Sequence, residues 1–185
     1  MTQIKRPNFH RFHNGSKAAL PFCDAEYETR LTGLRNILRD KGVNAAVFTS
    51  MQNIAYYSGF LYCAFGRPYG LVVTATDCVT ISAGIDAGQP WRRSFADNLT
   101  YTDWQRDNYW RAIASVAGQG GVIGYEGDHL SLTQAAALNS FLAPKAQVGN
   151  GAYALSAVPE APAILSVKLP IKGDFALFLI GTLNR

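Results

Sequence analysis

Residues 59–69, which read GFLYCAFGRPY, place one cation among several aromatic side chains. The cation is Arg67, between Gly66 and Pro68, two residues that favour an irregular loop. A guanidinium held in such a loop can donate two parallel hydrogen bonds to a carboxylate. The neighbouring rings can form an apolar wall or stack on a planar cation. These rings belong to Phe60, Tyr62, Phe65 and Tyr69.

The same residues also fit a purely structural role. Arg67 could pair with a carboxylate of its own domain while the aromatic rings fill the core. Spacing alone favours neither interpretation, so both a binding loop and a packing loop remain open on the residues themselves.

The sequence contains three histidines, His10, His13 and His129. His10 and His13 fall in a polar N-terminal segment, and His129 follows a predicted strand. No HExxH motif or other zinc-ligand spacing is present, so we expect no metal site. We interpret His10 and His13 as solvated side chains, and a metal site shared by the two is the weaker hypothesis.

Cys63 lies between aromatic residues in LYCAF, with no histidine nearby in the sequence to raise its thiolate fraction. We therefore predict a buried packing cysteine rather than a nucleophile. The motifs GxSxG, GxxxxGKS/T and GxGxxG are not found either. The residues thus predict no catalytic group and no cofactor in this chain.

Two further stretches mix charged and aromatic residues. In residues 85–93, IDAGQPWRR, Asp86 is predicted to cap a turn and Trp91 to dock on the sheet. The adjacent Arg92 and Arg93 are interpreted as surface or interface charges, because nothing in the stretch gives them a chemical partner.

In residues 102–109, TDWQRDNY, Asp103 has a side chain preferred at an N-cap. We therefore predict that a helix begins at Trp104, whose ring would anchor the core or an interface. Glu126 and Asp128 end a predicted strand, where a buried site could lie. Neither carboxylate has an evident partner in the sequence.

Hydrophobic periodicity predicts the elements that position these residues. We predict helices over 24–41, 104–117 and 130–142 and strands over 43–49, 69–76, 78–83, 99–102 and 121–126. Residues 53–60 fit a short helix less clearly, and Gln147 and Val148 can begin a last strand. The short link 75–77 predicts an antiparallel pair. This order predicts an α/β fold, a mixed β-sheet flanked by helices.

Two of the helices carry specific expectations. For the first, Asp24 is the predicted N-cap and Gly42 the predicted stop. Its apolar stripe comprises Leu31, Leu34, Ile37 and Leu38. The predicted inner face of the helix over 104–117 comprises Trp104, Tyr109, Ile113 and Val116.

Composition limits the class of protein. A chain of 185 residues with 48% hydrophobic residues can bury the core of one domain. The net charge of +4 is spread along the chain, so we predict no nucleic-acid partner. Three widely spaced cysteines predict a reducing compartment. No signal-peptide pattern and no long apolar span occur, so we expect no membrane partner and a cytoplasmic location.

Three segments of the chain differ in character. Residues 1–22 are polar and are predicted to form an arm. Residues 23–148 contain the periodic segments and are predicted to form the domain. Residues 149–185 contain three prolines and little periodicity, so we interpret them as a divergent tail and assign no element there.

The segments FTSMQNIAYYSGFLYCAFGRPYGLVVT, ISAGIDAGQPWRRS and YTDWQRDNYWRAI resemble the creatinase family of the pita-bread superfamily. Weaker similarity extends the resemblance to residues 22–147. Xaa-Pro aminopeptidases and prolidase share the pattern N-I-x-Y-x-x-G-F, which begins here at Asn53, whereas FGRPY and GQPWRR favour creatinase. The resemblance implies a creatinase/prolidase N-terminal domain with a ribonuclease H-like motif.

The resemblance also implies a function. Creatinases are homodimers that hydrolyse creatine to sarcosine and urea, without a metal, in a larger C-terminal pita-bread domain. The small N-terminal domain leans over the active site of the other subunit. Phe65 and Arg67 correspond to the Phe and Arg that the family places there, and Arg67 is implied to hold the substrate carboxylate.

The resemblance ends after Val148, so the catalytic histidine of the family has no counterpart here. We therefore expect the catalytic pita-bread domain to be absent and the chain alone to be inactive. Two alternatives remain: an N-terminal domain of an Xaa-Pro aminopeptidase-like hydrolase, and a non-catalytic binding or dimerisation module.

Overall fold

Short runs rich in β-branched and aromatic residues form the strands, and polar turns bound them. A computed structural model describes residues 6–62, 66–86, 88–118 and 121–142 and the backbone of 164–166. The strands are β1 (Phe9–Arg11), β2 (Ala45–Phe48), β3 (Gly70–Thr74), β4 (Cys78–Ala83), β5 (Asp97–Tyr101), β6 (Ile123–Tyr125) and β7 (Ile164–Ser166). The helices are α1 (Asp24–Asp40), α2 (Met51–Ser58), α3 (Gln89–Arg92), α4 (Asn108–Ala117) and α5 (Leu132–Leu142), and a 3₁₀ turn (Gly84–Asp86) follows β4.

The described strands form one sheet in the order β1-β5-β4-β3-β2-β6-β7. The β1/β5, β2/β3 and β3/β4 pairs are antiparallel, and the β2/β6, β4/β5 and β6/β7 pairs are parallel. The predicted α/β class with a mixed sheet and flanking helices is therefore confirmed. The antiparallel pair predicted from the link 75–77 is also confirmed, because Val73 lies opposite Cys78.

Each face of the sheet has its own apolar core. Successive strand residues point to opposite faces, so Val72 and Val73 enter different cores. Helices α4 and α5 cover the Val72 face, where Ile113 is fully buried. Helices α1 and α2 cover the Val73 face, where Leu34 is buried. The segment that was ambiguous in the sequence, 53–60, is largely the helix α2.

Helix α1 confirms its predicted stripe and corrects its predicted start. Leu31, Leu34 and Leu38 are buried, while Ile37 is half-buried. Cys23 occupies the N-cap position and makes no side-chain cap bond, so the prediction of Asp24 as N-cap was wrong. Asp24 is the first helical residue, where a carboxylate favours the positive end of the helix dipole.

Helix α4 begins four residues later than predicted. Residues 103–107 are turns, and Asn108 starts the helix. The buried Asn108 donates through Nδ2 to the Thr102 carbonyl at 3.1 Å and so stabilises the non-helical turn. Asp103 is therefore not an N-cap, and Trp104 is 48% exposed rather than on the inner face. Tyr109 and Ile113 are buried as predicted.

The N-terminal arm is part of the sheet. Residues 9–11 pair with β5 as β1, a strand that the sequence analysis did not predict. His13 is exposed, as expected, although its Nε2 also lies 2.7 Å from Asp97 Oδ1 and its ring stacks on Trp91. His10 is exposed, as expected. Lys17 Nζ donates to the carbonyls of Ser94 and Ala96, at 2.7 and 2.9 Å, and so fixes the end of the arm.

The segment after residue 148 contributes an edge strand. β7 (Ile164–Ser166) runs parallel to β6, in a region to which the sequence analysis assigned no element. The strand predicted to begin at Gln147 and Val148 lies outside the described residues.

Candidate ligand-binding site

Three chain segments meet at one edge of the sheet. β4 and β5 are parallel and end at this edge, and β3, antiparallel to β4, begins here. The loop that precedes β3 carries Arg67, the turn after β4 carries Asp86, and the turn after β5 carries Asp103. The strand register therefore brings together residues that are distant in the sequence.

Arg67 forms an ion pair within the domain and remains accessible. Its Nη1 lies 3.4 Å from Asp103 Oδ1, and the Arg67 and Asp103 side chains are 49% and 32% exposed. Tyr101 Oη donates to the Pro68 carbonyl at 2.9 Å, which fixes the backbone next to Arg67. Arg67 thus pairs with a carboxylate of its own domain, as the structural interpretation predicted. Its guanidinium is still exposed enough to contact a ligand.

Aromatic rings from the two ends of this loop pack against one another. The Tyr62 and Tyr69 rings stack with centroids 4.5 Å apart, and Phe60 lies 5.5 Å from Tyr69. Phe60 and Tyr69 are buried. Burial raises the pKa of Tyr69 well above its ordinary value, so its hydroxyl stays neutral. Phe65 lies outside the described residues, and the substrate-binding role of Phe65 and Arg67 stays a prediction.

Asp86 brings a second carboxylate to the site. Its Oδ1 accepts a long hydrogen bond of 3.5 Å from Tyr62 Oη. Its Oδ2 is buried without a hydrogen-bond partner among the described residues. Burial raises the pKa of Asp86, and the nearby charge of Asp103 raises it further, although hydrogen bonds from Tyr62 and the backbone oppose the shift. Asp86 ends the 3₁₀ turn after β4.

The sequence analysis did not place Asp86 or Asp103 beside Arg67. Both follow a strand that was predicted, but their proximity depends on β4 and β5 being parallel neighbours. The signal that could have found them is the position of each acidic residue two or three residues after the end of a buried strand. Parallel strands carry such residues to the same edge of a sheet.

Trp91 and the two arginines after it lie elsewhere. Trp91 stacks on His13, with ring centroids 4.9 Å apart, and Lys17 Nζ lies 4.9 Å above its ring. His13 also contacts Asp97, the first residue of β5, so this group lies at the opposite end of β5 from Asp103. Arg92 and Arg93 are exposed, as expected for surface or interface charges.

Glu126, which had no evident partner in the sequence, is a buried acceptor. Its carboxylate accepts from the Ser50 backbone N–H at 2.7 Å and from the side chains of Ser50 and Asn53. The Thr49 backbone N–H also donates to Glu126, and Thr49 Oγ1 lies 2.8 Å from His129 Nδ1. These contacts use the acceptor capacity of the carboxylate at the start of α2, so we assign Glu126 a structural role.

The described residues include two free cysteines, Cys23, which is exposed, and Cys78. Burial raises the pKa of the Cys78 thiol to about 12, so this cysteine is unreactive at neutral pH. Cys63 lies outside the described residues. Within the described ranges, no three His, Cys, Asp or Glu side chains are grouped closely enough to hold a metal ion. The helices that the structure describes include none long and apolar enough to cross a membrane.

The fold is that of a small α/β domain with a mixed sheet, and it can be compared with known protein families. The model of the Creatinase/Prolidase N-terminal domain matches residues 30–157. That match covers more than half of the chain, and the chain therefore belongs to the Creatinase/Prolidase N-terminal domain family.

Relatives and solved structures agree with this family. A creatinase from Bacillus sp. (strain B-0618) is 48% identical over 124 residues, which are 65% of this chain and 30% of that protein. The match thus spans less than a third of the curated relative. The N-terminal domain of an X-Pro dipeptidase from Streptococcus pyogenes is 23% identical with a TM-score of 0.54, covering 61% of this chain and 87% of that one. An Xaa-Pro aminopeptidase from the same organism is 18% identical with a TM-score of 0.57, covering 78% and 94%.

Proposed function

We propose that this chain is the N-terminal domain of a creatinase, in which Arg67 holds the carboxylate of creatine at the active site of a partner subunit. The observation that carries the proposal is the half-exposed guanidinium of Arg67, in a loop that starts and ends at the buried rings of Phe60 and Tyr69. The 48% identity to a creatinase over 124 residues supports the choice of substrate. Phe65 is proposed to line the same site.

The geometry suits a carboxylate ligand. The contact between Arg67 and Asp103, at 3.4 Å, is long for a hydrogen bond and partly exposed. A pair of this kind contributes about 1 kcal/mol or less. It therefore orients the guanidinium without preventing a second carboxylate from binding to the other N–H donors. In an interface that excludes water, that second contact is stronger.

The proposed reaction needs chemistry from outside the described residues. Water adds its oxygen to the guanidinium carbon of creatine, the bond from that carbon to the N-methylated nitrogen breaks, and this nitrogen gains a proton. The products are sarcosine and urea. We propose that a C-terminal pita-bread domain supplies the catalytic groups, without metal or cofactor, and that the enzyme is a cytoplasmic homodimer. Residues 23–148 are the proposed domain, preceded by the arm.

The test is a hybrid enzyme in which the 124 matching residues replace those of the Bacillus creatinase. Arg67→Ala should raise KM for creatine about 10- to 100-fold, because hydrogen bonds to a charged group contribute about 1.5–3 kcal/mol. N,N-dimethylguanidine lacks the carboxylate of creatine, so its kcat/KM should not change. Arg39→Ala, at an exposed arginine, is the matched control.

An equal loss for both substrates would overturn the proposed role of Arg67. The unmutated hybrid could fail to turn over either substrate. If the same residues, exchanged into an Xaa-Pro peptidase, then support turnover of Xaa-Pro peptides, this result would favour a peptidase domain. The fold likeness to Xaa-Pro peptidases is the observation behind that second candidate.

A binding or dimerisation module is a third candidate. Leu61, Ile85 and Trp104 flank the Arg67 edge of the sheet and are 70%, 70% and 48% exposed. Exposed apolar side chains of this size favour a protein contact. A stable dimer of the 185-residue chain, seen by sedimentation without any catalytic domain, would move this candidate ahead.

A further inference from the structure

The ion-pair partner of Arg67 lies between two anchored residues. On one side of Asp103, the Thr102 N–H donates to the Asn8 carbonyl at 2.9 Å. Thr102 Oγ1 also donates to the Pro7 carbonyl at 2.7 Å. On the other side, Trp104 Nε1 donates to the same Pro7 carbonyl at 2.9 Å. Two residues of the N-terminal arm therefore hold both neighbours of Asp103.

The core side of this turn is fixed as well. Asn108, which is fully buried, donates through Nδ2 to the carbonyl and the Oγ1 of Thr102, at 3.1 and 3.0 Å. Thr102 is thus held from the arm and from the start of α4 at once. Because Thr102 follows β5 directly, the pairing of β1 with β5 extends into this turn.

The surroundings of Asp103 make Arg67 its favourable partner. Asp103 Oδ1 faces the guanidinium at 3.4 Å. Its Oδ2 points to the turn after β4, since a Cβ placed on Gly84 would lie 3.6 Å from it. Asp86, in the same turn, carries a like charge that disfavours any displacement of Asp103 toward it. The charge of Asp86 therefore repels the Asp103 carboxylate, and the guanidinium of Arg67 attracts it.

We propose that Asp103 is a positioning residue for Arg67, and that Pro7 and Asn8 of the N-terminal arm set the position of Asp103. The arm is then part of the carboxylate site, although it does not touch the ligand. This inference deepens the proposed function and rests on it for the identity of the ligand. An arginine that is already oriented loses less conformational entropy when a carboxylate binds.

The first measurement uses the 185-residue chain and does not depend on creatine. The heteronuclear ¹H–¹⁵N NOE of the Arg67 Nε–H group reports how freely the guanidinium moves. Asp103→Asn should lower this NOE toward that of a freely rotating arginine, and Asp103→Glu should restore part of it. Asp107→Asn, an exposed aspartate of the same turn, removes the same charge and should leave the NOE unchanged.

The contribution of the arm has its own variant. Trp104→Phe keeps an exposed aromatic ring and removes the hydrogen bond to the Pro7 carbonyl. We expect the NOE of Arg67 in this variant to lie between that of the native chain and that of Asp103→Asn. An NOE for Asp103→Asn that equals that of the native chain would overturn the positioning role. An unchanged NOE for Trp104→Phe would overturn the contribution of the arm.

The second measurement uses the hybrid enzyme. Asp103→Asn should raise KM for creatine about 3- to 10-fold and leave kcat within about twofold, because it acts on binding through Arg67. An unchanged KM for Asp103→Asn beside a raised KM for Arg67→Ala would refute the positioning role and leave the proposed function standing. An unchanged KM for Arg67→Ala would refute the proposed function, and the NOE would still decide whether Asp103 orients Arg67.

Discussion

At the scale of single residues, Asp86 has the least favourable surroundings of the site. One of its oxygens is buried without a partner among the described residues, the other accepts a long bond from Tyr62, and a backbone interaction at Ala83 compensates in part. A buried carboxylate without strong hydrogen bonds favours its neutral form. The raised pKa of Asp86 therefore means that its ionisation opposes folding.

Asp86→Asn should stabilise the domain at neutral pH and lose this advantage in acid. The unfolded chain ionises Asp86 at a lower pH than the folded chain does, so the ionised group reduces stability above both pKa values. As the pH falls through the raised folded pKa, Asp86 becomes protonated and this reduction disappears. The gain should be about 0.5 kcal/mol or less, since solvent screens a partly buried group. Urea unfolding near pH 7 and near pH 4 measures it.

The matched control for this prediction is Asp128→Asn, which removes an exposed carboxylate. It should show no comparable difference between the two pH values. A loss of stability for Asp86→Asn at both pH values would show instead that Asp86 has a strong partner.

Residue types in the loop 59–69 identified Arg67 as a candidate but left a binding role and a packing role open, and they did not reveal its surroundings. A lone arginine between Gly66 and Pro68 fits a binding loop and a packing loop equally well by local chemistry. Its partner Asp103 looked like a helix cap, because aspartate before an apolar periodic segment usually is one. The side chain of Asn108 stabilises the turn instead, and no local pattern encodes that contact.

At the scale of elements, Glu126 joins three of them. It follows β6 and accepts hydrogen bonds from Thr49 and Ser50, which connect β2 to α2. It also accepts from Asn53 in the first turn of α2. A carboxylate at this end of a helix is favoured by the helix dipole. The parallel pair of β2 and β6 and the start of α2 thus share one side chain.

Glu126→Gln should destabilise the domain by about 2–4 kcal/mol, because an amide N–H₂ then faces several donors inside the protein. Urea unfolding followed by circular dichroism gives the free energy. Asp128→Asn, two residues away and exposed, removes the same charge and should change stability by less than about 0.5 kcal/mol. Equal effects of the two substitutions would argue against the contacts of Glu126.

The elements with strong local sequence patterns could be predicted, whereas the short edge strands β1 and β7 could not. The apolar stripe of α1 and the β3–β4 hairpin depend on contacts within a few residues, so their patterns are visible in the sequence. β1 and β7 are each three residues long and have partners far along the chain. Such short strands acquire their structure from the sheet they join, so no local pattern indicates them.

At the scale of the whole molecule, the N-terminal arm closes one edge of the sheet. β1 covers β5, and Lys17 and Ala18 bond to carbonyls of residues 92–96. His13 adds a contact to Asp97 at the start of β5. Without the arm, β5 would expose unpaired N–H and C=O groups, which favour association with other chains.

Deletion of residues 1–17 should lower the melting temperature and promote self-association. The deletion removes β1 and the side chain of Lys17, so the free energy of unfolding should fall by about 2 kcal/mol or more. Thermal melting and sedimentation velocity measure the two effects. Deletion of residues 1–5 keeps every arm contact described above, and we expect it to behave as the native chain. A monomer with native stability after the longer deletion would show that β1 is dispensable.

The pairing of the arm with β5 also has a consequence for synthesis on the ribosome. The Pro7 carbonyl meets Thr102, which is 95 residues later in the chain. The arm therefore leaves the exit tunnel before its partner and must wait for it, while the β3–β4 hairpin can pair much earlier. A nascent chain halted before residue 102 should leave the arm open to protease, and a chain released after α4 should protect it. The edge that carries Arg67 is thus completed late in translation.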